Sequence, residues 1–507
     1  MKDKRKIDIS SLQLWKDKIL NILKDKITSL TSFKKRFRTC PTLKNKNVLE
    51  YLEELQKKFV IAPIDKASNN ISFICKRYYI EKLLHEVGIF GSPSDTYQLS
   101  AHDPKNIIID NIKLCNKFDL DVNEKQQELP FMYWLPKKHK QPCGARFIVA
   151  SSSCSSKPLS KIISKIFKLI YTQIENFHSK SKFYSNYNLF WVVNNSKNII
   201  DKLNSINSRS SAKCISTYDF STLYTKIPHK DLINQLNKII DLAFKGGNKK
   251  YISCNNYNAF WCNSNKGKTV FSKQSLKQVV EHLICKSYFQ IGNKLLVQNI
   301  GIPMGIDPAP FWANLYLHRL EYDYMISLIK TNNTIAYKFN GCRRFIDDRC
   351  CINDSGEFGK SYKYIYPEEL ELKCEHQGTH ATFLGIDISI NDGLFVYKQY
   401  DKRDSFPFDI VRMPHKNSNI PSNIFYSSIL SEFLRLARTT LKFQDFFPRV
   451  TGLAERMINQ GGNCHKILRQ FKKAMCRHPD PFSSFSMSMN DVLEMIKKQL
   501  YLRCGGT

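Results

Sequence analysis

The sequence predicts an α/β (α+β) fold, and two features carry that prediction. Short apolar runs bounded by Gly, Pro, Asn and Asp recur along the chain, as strands do. Between them, and through the last quarter, apolar residues repeat at helical spacing. At 507 residues the chain exceeds one ordinary core, and with 42% hydrophobic and 24% charged residues it reads as globular protein.

From the N-terminus, residues 8–38 place Ile9, Leu12, Trp15, Ile19, Ile22 and Leu23 at helical spacing among lysines, a basic amphipathic helix. Phe59–Pro63 and Ile71–Cys75 read as a hairpin that presents Lys66 at its bend. Extended stretches follow at Phe131–Leu135 and Ala145–Ala150, separated by the basic run Lys137-Lys138-His139-Lys140. Residues 159–205 read as mostly helical, Cys214–Phe220 as a strand, and His229–Ala243 as a helix. Strands near 288–298 precede a loop and a long helix from Pro310 to Leu328. Residues 342–353 read as a hairpin with a carboxylate turn, 381–399 as strands, and the chain from about 421 as basic helices.

Charge narrows the partner. Lys and Arg number 77 against 45 Asp and Glu, a net of +32. Residues 1–46 carry 14 basic against 4 acidic residues, and residues 435–477 carry 10 against 2. Such an excess suits a polyanion, because each neutralised phosphate releases condensed counterions. The 16 cysteines show no paired CxxC spacing, which argues against a structural zinc site. The N-terminus lacks the apolar core of a signal peptide, and no apolar run reaches the roughly 18–20 residues that span a bilayer. A soluble intracellular protein, in nucleus or cytoplasm and away from membranes, is expected.

Three acids stand out. Asp219 ends the apolar strand Ser216-Thr217-Tyr218-Asp219-Phe220, and Asp347 and Asp348 sit inside Arg344-Phe345-Ile346-Asp347-Asp348-Arg349-Cys350-Cys351. Carboxylates within apolar strands are costly unless a cation neutralises them. Two-metal phosphoryl transfer needs such a set, and Mg²⁺ suits it, with Mn²⁺ as a substitute. Asp219 and Asp347 are the expected principal ligands. Strand alternation points Asp348 to the other face, as a weaker ligand or a partner of the ligands. In Gly301-Ile302-Pro303-Met304-Gly305, the two glycines would let backbone approach a nucleotide or template closely.

Taken in order, IDKASNN, LPKKHKQPCGARFIVA, YDFSTLYTKIP, GIPMGIDPAPFWANLYL, RFIDD, LELKCE and FLGIDI resemble the motifs of reverse transcriptases, and most closely those of the Penelope-like retroelement branch. The resemblance spans roughly residues 55–480 and implies a right-hand fold of fingers, palm and thumb, with an antiparallel palm sheet packed on helices. On that pattern residues 1–50 are a basic helical extension and 51–205 the fingers and start of the palm. Residues 206–400 are the palm, and 401–507 are the thumb and tail.

It implies an RNA-directed DNA polymerase that uses an RNA template, a DNA or RNA primer and deoxynucleoside triphosphates. Tyr224 matches the aromatic gate against a ribose 2′-hydroxyl, with Phe220 and the loop glycines beside the nucleotide. Arg146 and Lys66 match the fingers cations on the triphosphate. Lys373 matches a lysine that protonates the leaving pyrophosphate, and Phe383-Leu384-Gly385 match the primer grip. Three departures accompany these: Phe345 replaces the usual Tyr, Arg349 is expected to bring a cation next to the metals, and Ile300 replaces Gln. Full-length relatives often carry a GIY-YIG nuclease domain, and none is seen in the roughly 27 residues after the thumb-like part. Two alternatives stand beside this reading, an RNA-directed RNA polymerase and a degraded, polymerase-derived RNA-binding protein.

Overall fold

The computed structural model describes residues 9–31, 46–247, 249–267, 269–418 and 420–503. The chain divides into two units, Met1–Lys57 and Lys58–Thr507. The first holds helix α1 (Ile9–Thr31) and most of α2 (Lys46–Lys58). The expected amphipathic helix is α1; residues 1–8 and 32–45 of the 1–50 extension lie outside the described residues. Leu14, Trp15 and Ile22 of α1 are exposed.

The second unit opens with the hairpin β1 (Phe59–Ile64) and β2 (Ala67–Cys75), followed by α3 (Lys76–Glu86). Next come β3 (Tyr97–Leu99), α4 (Pro104–Asn116), β4 (Phe131–Lys137) and β5 (Gly144–Ala150). The expected 159–205 helix is two helices, α5 (Lys157–Ser185) and α6 (Ser196–Asn207). The interruption has a tertiary cause. Trp191 is buried in stacked contact with Phe339, and the backbones of Trp191 and Val193 both bond to Arg344.

Strand β6 (Ile215–Phe220) leads through the short α7 (Leu223–Lys226) to α8 (His229–Gly247). A small sheet that the sequence reading missed follows: β7 (Tyr251–Cys254), β8 (Ala259–Cys262) and β9 (Val270–Ser272). Then come α9 (Lys273–Cys285), β10 (Tyr288–Ile291), β11 (Lys294–Gln298) and the long α10 (Ala309–Thr331). Helix α11 (Asn333–Lys338) precedes the hairpin β12 (Cys342–Phe345) and β13 (Asp348–Ile352), and α12 (Glu357–Ile365) follows it. Strands β14 (Leu372–Gly378), β15 (His380–Phe383), β16 (Ile386–Asn391) and β17 (Leu394–Gln399) come next. The chain closes in helices α13 (Ser422–Arg438), α14 (Phe443–Asn459), α15 (Cys464–Arg477) and α16 (Met489–Arg503).

The central sheet has the order β12-β13-β6-β14 and is antiparallel throughout. Strand β6 is buried along nearly its whole length, as a central strand flanked on both sides must be. One face carries Tyr218 and Phe220 into a large core built with α5, α8, α9, α10 and α12. Helix α10 is buried around most of its circumference by Trp312, Leu315, Tyr316 and Leu317. The other face carries Ile215, Cys350 and Ile352 against α6 and the sheet β15-β16-β17. At one end of the central strands that face runs out in carboxylates. Helices α13 to α16 form their own core around Phe433, Phe446 and Phe471.

Candidate metal centre

Asp219 pairs directly with Asp348 across β6 and β13, and with Lys373 across β6 and β14. Directly paired residues share a face, so all three stand on one side of the sheet. Asp347 lies in the two-residue turn between Phe345 and Asp348. One carboxylate oxygen from each of Asp219, Asp347 and Asp348 can be chosen so that all lie within 4.8 Å of one another. The expectation that alternation carries Asp348 away is therefore corrected. Alternation starts anew at Asp348, because Asp347 belongs to the turn.

The turn is conformationally unusual. Ile346, its first residue, has φ 54°, a region that β-branched residues rarely occupy. Arg344 holds it there. Its Nη1 donates to the carbonyl of Ile346 at 2.9 Å and to Asn314 Oδ1 at 2.9 Å, while Nε donates to Glu321 Oε1 at 2.6 Å. Arg344 and Arg349 are directly paired and both fully buried, and like charges so placed repel. Glu321 of α10, 1% exposed, accepts from both and from the Tyr366 hydroxyl. Arg349 thus does not approach the metal position as expected. Its guanidinium points to the opposite face, 4.7 Å from the Trp191 ring and 4.4 Å from the Phe358 ring.

Electrostatics fit a cation. Burial, then the charges of Asp347 and Asp219, push the Asp348 carboxyl up to about 7. Burial and the neighbouring Asp219 raise Asp347 as well. A carboxylate trio whose member Asp348 is pushed up to about 7 offers all-oxygen ligands of the kind Mg²⁺ takes.

Tyr224 of α7 faces the cluster; burial and then Asp347 raise its hydroxyl to about 12. Gly301 (φ 94°) packs so tightly on Tyr224 that an added Cβ would stand 2.2 Å from the Tyr224 carbonyl oxygen. Gly305 (φ 84°) meets the Val149 carbonyl in the same way, at 2.1 Å. The atoms crowding these glycines belong to the chain's own backbone. Phe220 is corrected: alternation turns its side chain away from Asp219 into the core, edge-on to Tyr366.

Leu384 and Gly385 form a two-residue turn with positive φ at both positions, the twist that suits a tight hairpin. With Phe383 they line a small cavity that also includes Asp348, Glu375 and Lys402. Lys66 stands at the β1–β2 bend with φ 64°. Arg146 on β5 donates to the buried Asp65 at 3.1 Å.

Two residues escaped the sequence reading. Lys402 lies beyond β17 in no motif. It offsets the raised affinity of Asp347 and Asp348 for protons, it helps to depress Lys66, and it shares a cavity lining with Asp348. Gln298 is buried, donates to the carbonyls of Ile300 and Ile302, and accepts from the Met304 amide. It orders the loop in which Ile300 had been noted as a departure. Asn69 and Asn70, next to the bend, bond to the backbone of Val411 and Asp409, joining β1–β2 to the segment after β17.

No family model and no curated protein matches the sequence. Solved structures do. Telomerase from Candida albicans, in complex with a fragment of telomeric RNA, superposes with a TM-score of 0.60 at 11% identity, covering 89% of this chain and 73% of that one. Apo telomerase from Candida tropicalis gives 0.48 at 12% identity, covering 89% and 72%. The BmCPV RNA-dependent RNA polymerase gives 0.40 at 10% identity, covering 82% and 31%. At such identities likeness speaks to the fold alone, and the first of these carries it. The chain has a reverse-transcriptase-like polymerase fold.

Proposed function

We propose that the protein is an RNA-directed DNA polymerase of the Penelope-like type. It would add deoxynucleotides to a primer 3′-hydroxyl on an RNA template. The observation that carries this is the meeting of Asp219, Asp347 and Asp348 at one end of the two central strands, with the charge of Asp347 acting on Tyr224. In this reading the β1–β2 hairpin and the β4–β5 sheet are fingers, the β12-β13-β6-β14 sheet is the palm, and α13 to α16 are the thumb.

Asp219, Asp347 and Asp348 would hold two Mg²⁺ ions. When bound, these ions assist loss of the proton from the primer hydroxyl and offset charge on the departing pyrophosphate. The chain's own groups do the rest. Arg146 grips phosphate bidentately, and Lys66 and Lys402 act as point charges. Tyr224 presents a ring edge where a 2′-hydroxyl would sit. Lys373, beside Asp219 in the sheet, supplies a proton to the pyrophosphate oxygen. The turn Phe383-Leu384-Gly385 seats the primer end next to Asp348.

Primer extension on an RNA template, with deoxynucleotides and ribonucleotides in separate reactions, tests the reading. Extension with deoxynucleotides only is expected. Equal use of ribonucleotides would point to an RNA polymerase, and no extension in Mg²⁺ or Mn²⁺ would point to a binding protein.

A further inference from the structure

Where the segment after β17 meets α13 and α14, the structure has a cavity of about 360 Å³. Five guanidiniums line it: Arg403 and Arg412 from the segment, Arg435 from α13, and Arg449 and Arg456 from α14. Three carboxylates stand among them. Asp401 accepts from Arg403 at 2.8 Å and from Arg412 at 2.7 Å. Asp404 accepts from Arg412 and, at 2.5 Å, from Arg449. Glu432 accepts from Arg435 at 2.7 Å. Arg456 has no carboxylate partner among the described residues. Crowding by protein and then the charge of Arg412 lower its proton affinity, with Arg449 adding to them and Asp404 and Asp401 offsetting only part. Five cations against three anions leave two positive charges around one hollow.

Cations gathered without enough carboxylates fit an anion that is supplied from outside. Asp401 and Asp404 already fix Arg412 and Arg449 in place, so part of the ordering cost of binding is met beforehand. Guanidinium forks match phosphate oxygens in pairs. Asp401 and Glu432 interrupt the basic lining, which suits a short, highly charged group better than a continuous strand with one charge per phosphate. None of Asp219, Asp347 or Asp348 lines it.

We propose that this cavity binds a compact polyphosphate, of pyrophosphate to triphosphate size, at a site separate from the carboxylate cluster. The proposal does not depend on the polymerase reading, since binding needs neither template nor primer. A nucleic-acid phosphodiester is the other source of the same chemistry, and the test separates the two.

The experiment is calorimetric titration of the full chain with sodium tripolyphosphate in Mg²⁺-free buffer, paired with thermal melting. Saturable binding that raises the melting temperature is expected. Arg456→Gln should weaken that binding by about tenfold or more, as loss of charged hydrogen bonds does. Without the anion this variant should melt no lower than the parent, because one of the cations in excess over the carboxylates has been removed; a purely structural arginine would give a lower melting point. Arg456→Lys should recover part of the affinity. Arg209→Gln, which removes an exposed arginine outside the cavity, should leave binding unchanged. The proposal is overturned if tripolyphosphate does not bind, if Arg456→Gln binds as tightly as the parent, or if Arg209→Gln abolishes binding. It is also overturned if Arg456→Gln weakens only the binding of an RNA–DNA duplex.

Discussion

Arg344 reaches Glu321 at 2.6 Å with one nitrogen and the carbonyl of Ile346 at 2.9 Å with another. A carboxylate on the buried helix α10 is thereby tied, through one guanidinium, to the turn that presents Asp347. Removing one member of a buried ion pair leaves the others uncompensated and costs roughly 3–5 kcal/mol. Glu321→Gln is expected to lose about that much in urea unfolding, and two buried arginines would then repel across β12 and β13. A loss below about 1 kcal/mol would show that the network does not brace the hairpin.

The carboxylate cluster sets a second expectation. Asp347→Asn should reduce primer extension by about a thousandfold or more, since the charge it removes is one the ions require. Affinity for a template–primer duplex, read by fluorescence anisotropy, should change little. Retained extension would remove Asp347 from the ligand set.

The pH dependence follows from Asp348, raised to about 7 in the fold against about 3.9 for a free aspartate. An acid with a raised folded pKa favours the native state below its unfolded value, and that contribution is lost as pH rises through the folded value. The metal-free protein should therefore lose stability between about pH 4 and 7 at this site. Mg²⁺ competes with the proton, so the rise in melting temperature that Mg²⁺ produces should grow from pH 6 to pH 8. A rise independent of pH would separate Asp348 from the metal position.

Tyr224 and Lys402 act on the nucleotide in different ways. Tyr224→Ala should admit ribonucleotides while deoxynucleotide incorporation persists; continued exclusion would end its role as the gate. Lys402→Gln should raise the KM for deoxynucleotides by about tenfold, the effect of one charged phosphate contact, with a smaller change in kcat. An unchanged KM would place Lys402 outside the nucleotide path.

Much of this was legible in the chain itself. Asp219 at the end of an apolar strand, and two further acids between apolar strands, announce a cation because buried carboxylates must be neutralised. The hairpins at 59–75 and 342–353 follow from period-two apolar runs and turn residues. Tertiary structure decided the rest. Whether Asp348 joins the cluster depends on which residues make the turn, since alternation is a property of paired strand and not of the bend. Arg349 looked like a cation beside the metals until the sheet put it on the far face with Glu321, from a helix 28 residues earlier. The break between α5 and α6 likewise arises from Trp191 stacking on Phe339, a contact that overrides local helix preference. Lys402, Gln298 and Arg456 carry no local pattern at all. The roles of Lys402 and Arg456 come from partners distant in sequence, and only packing brings such partners within reach.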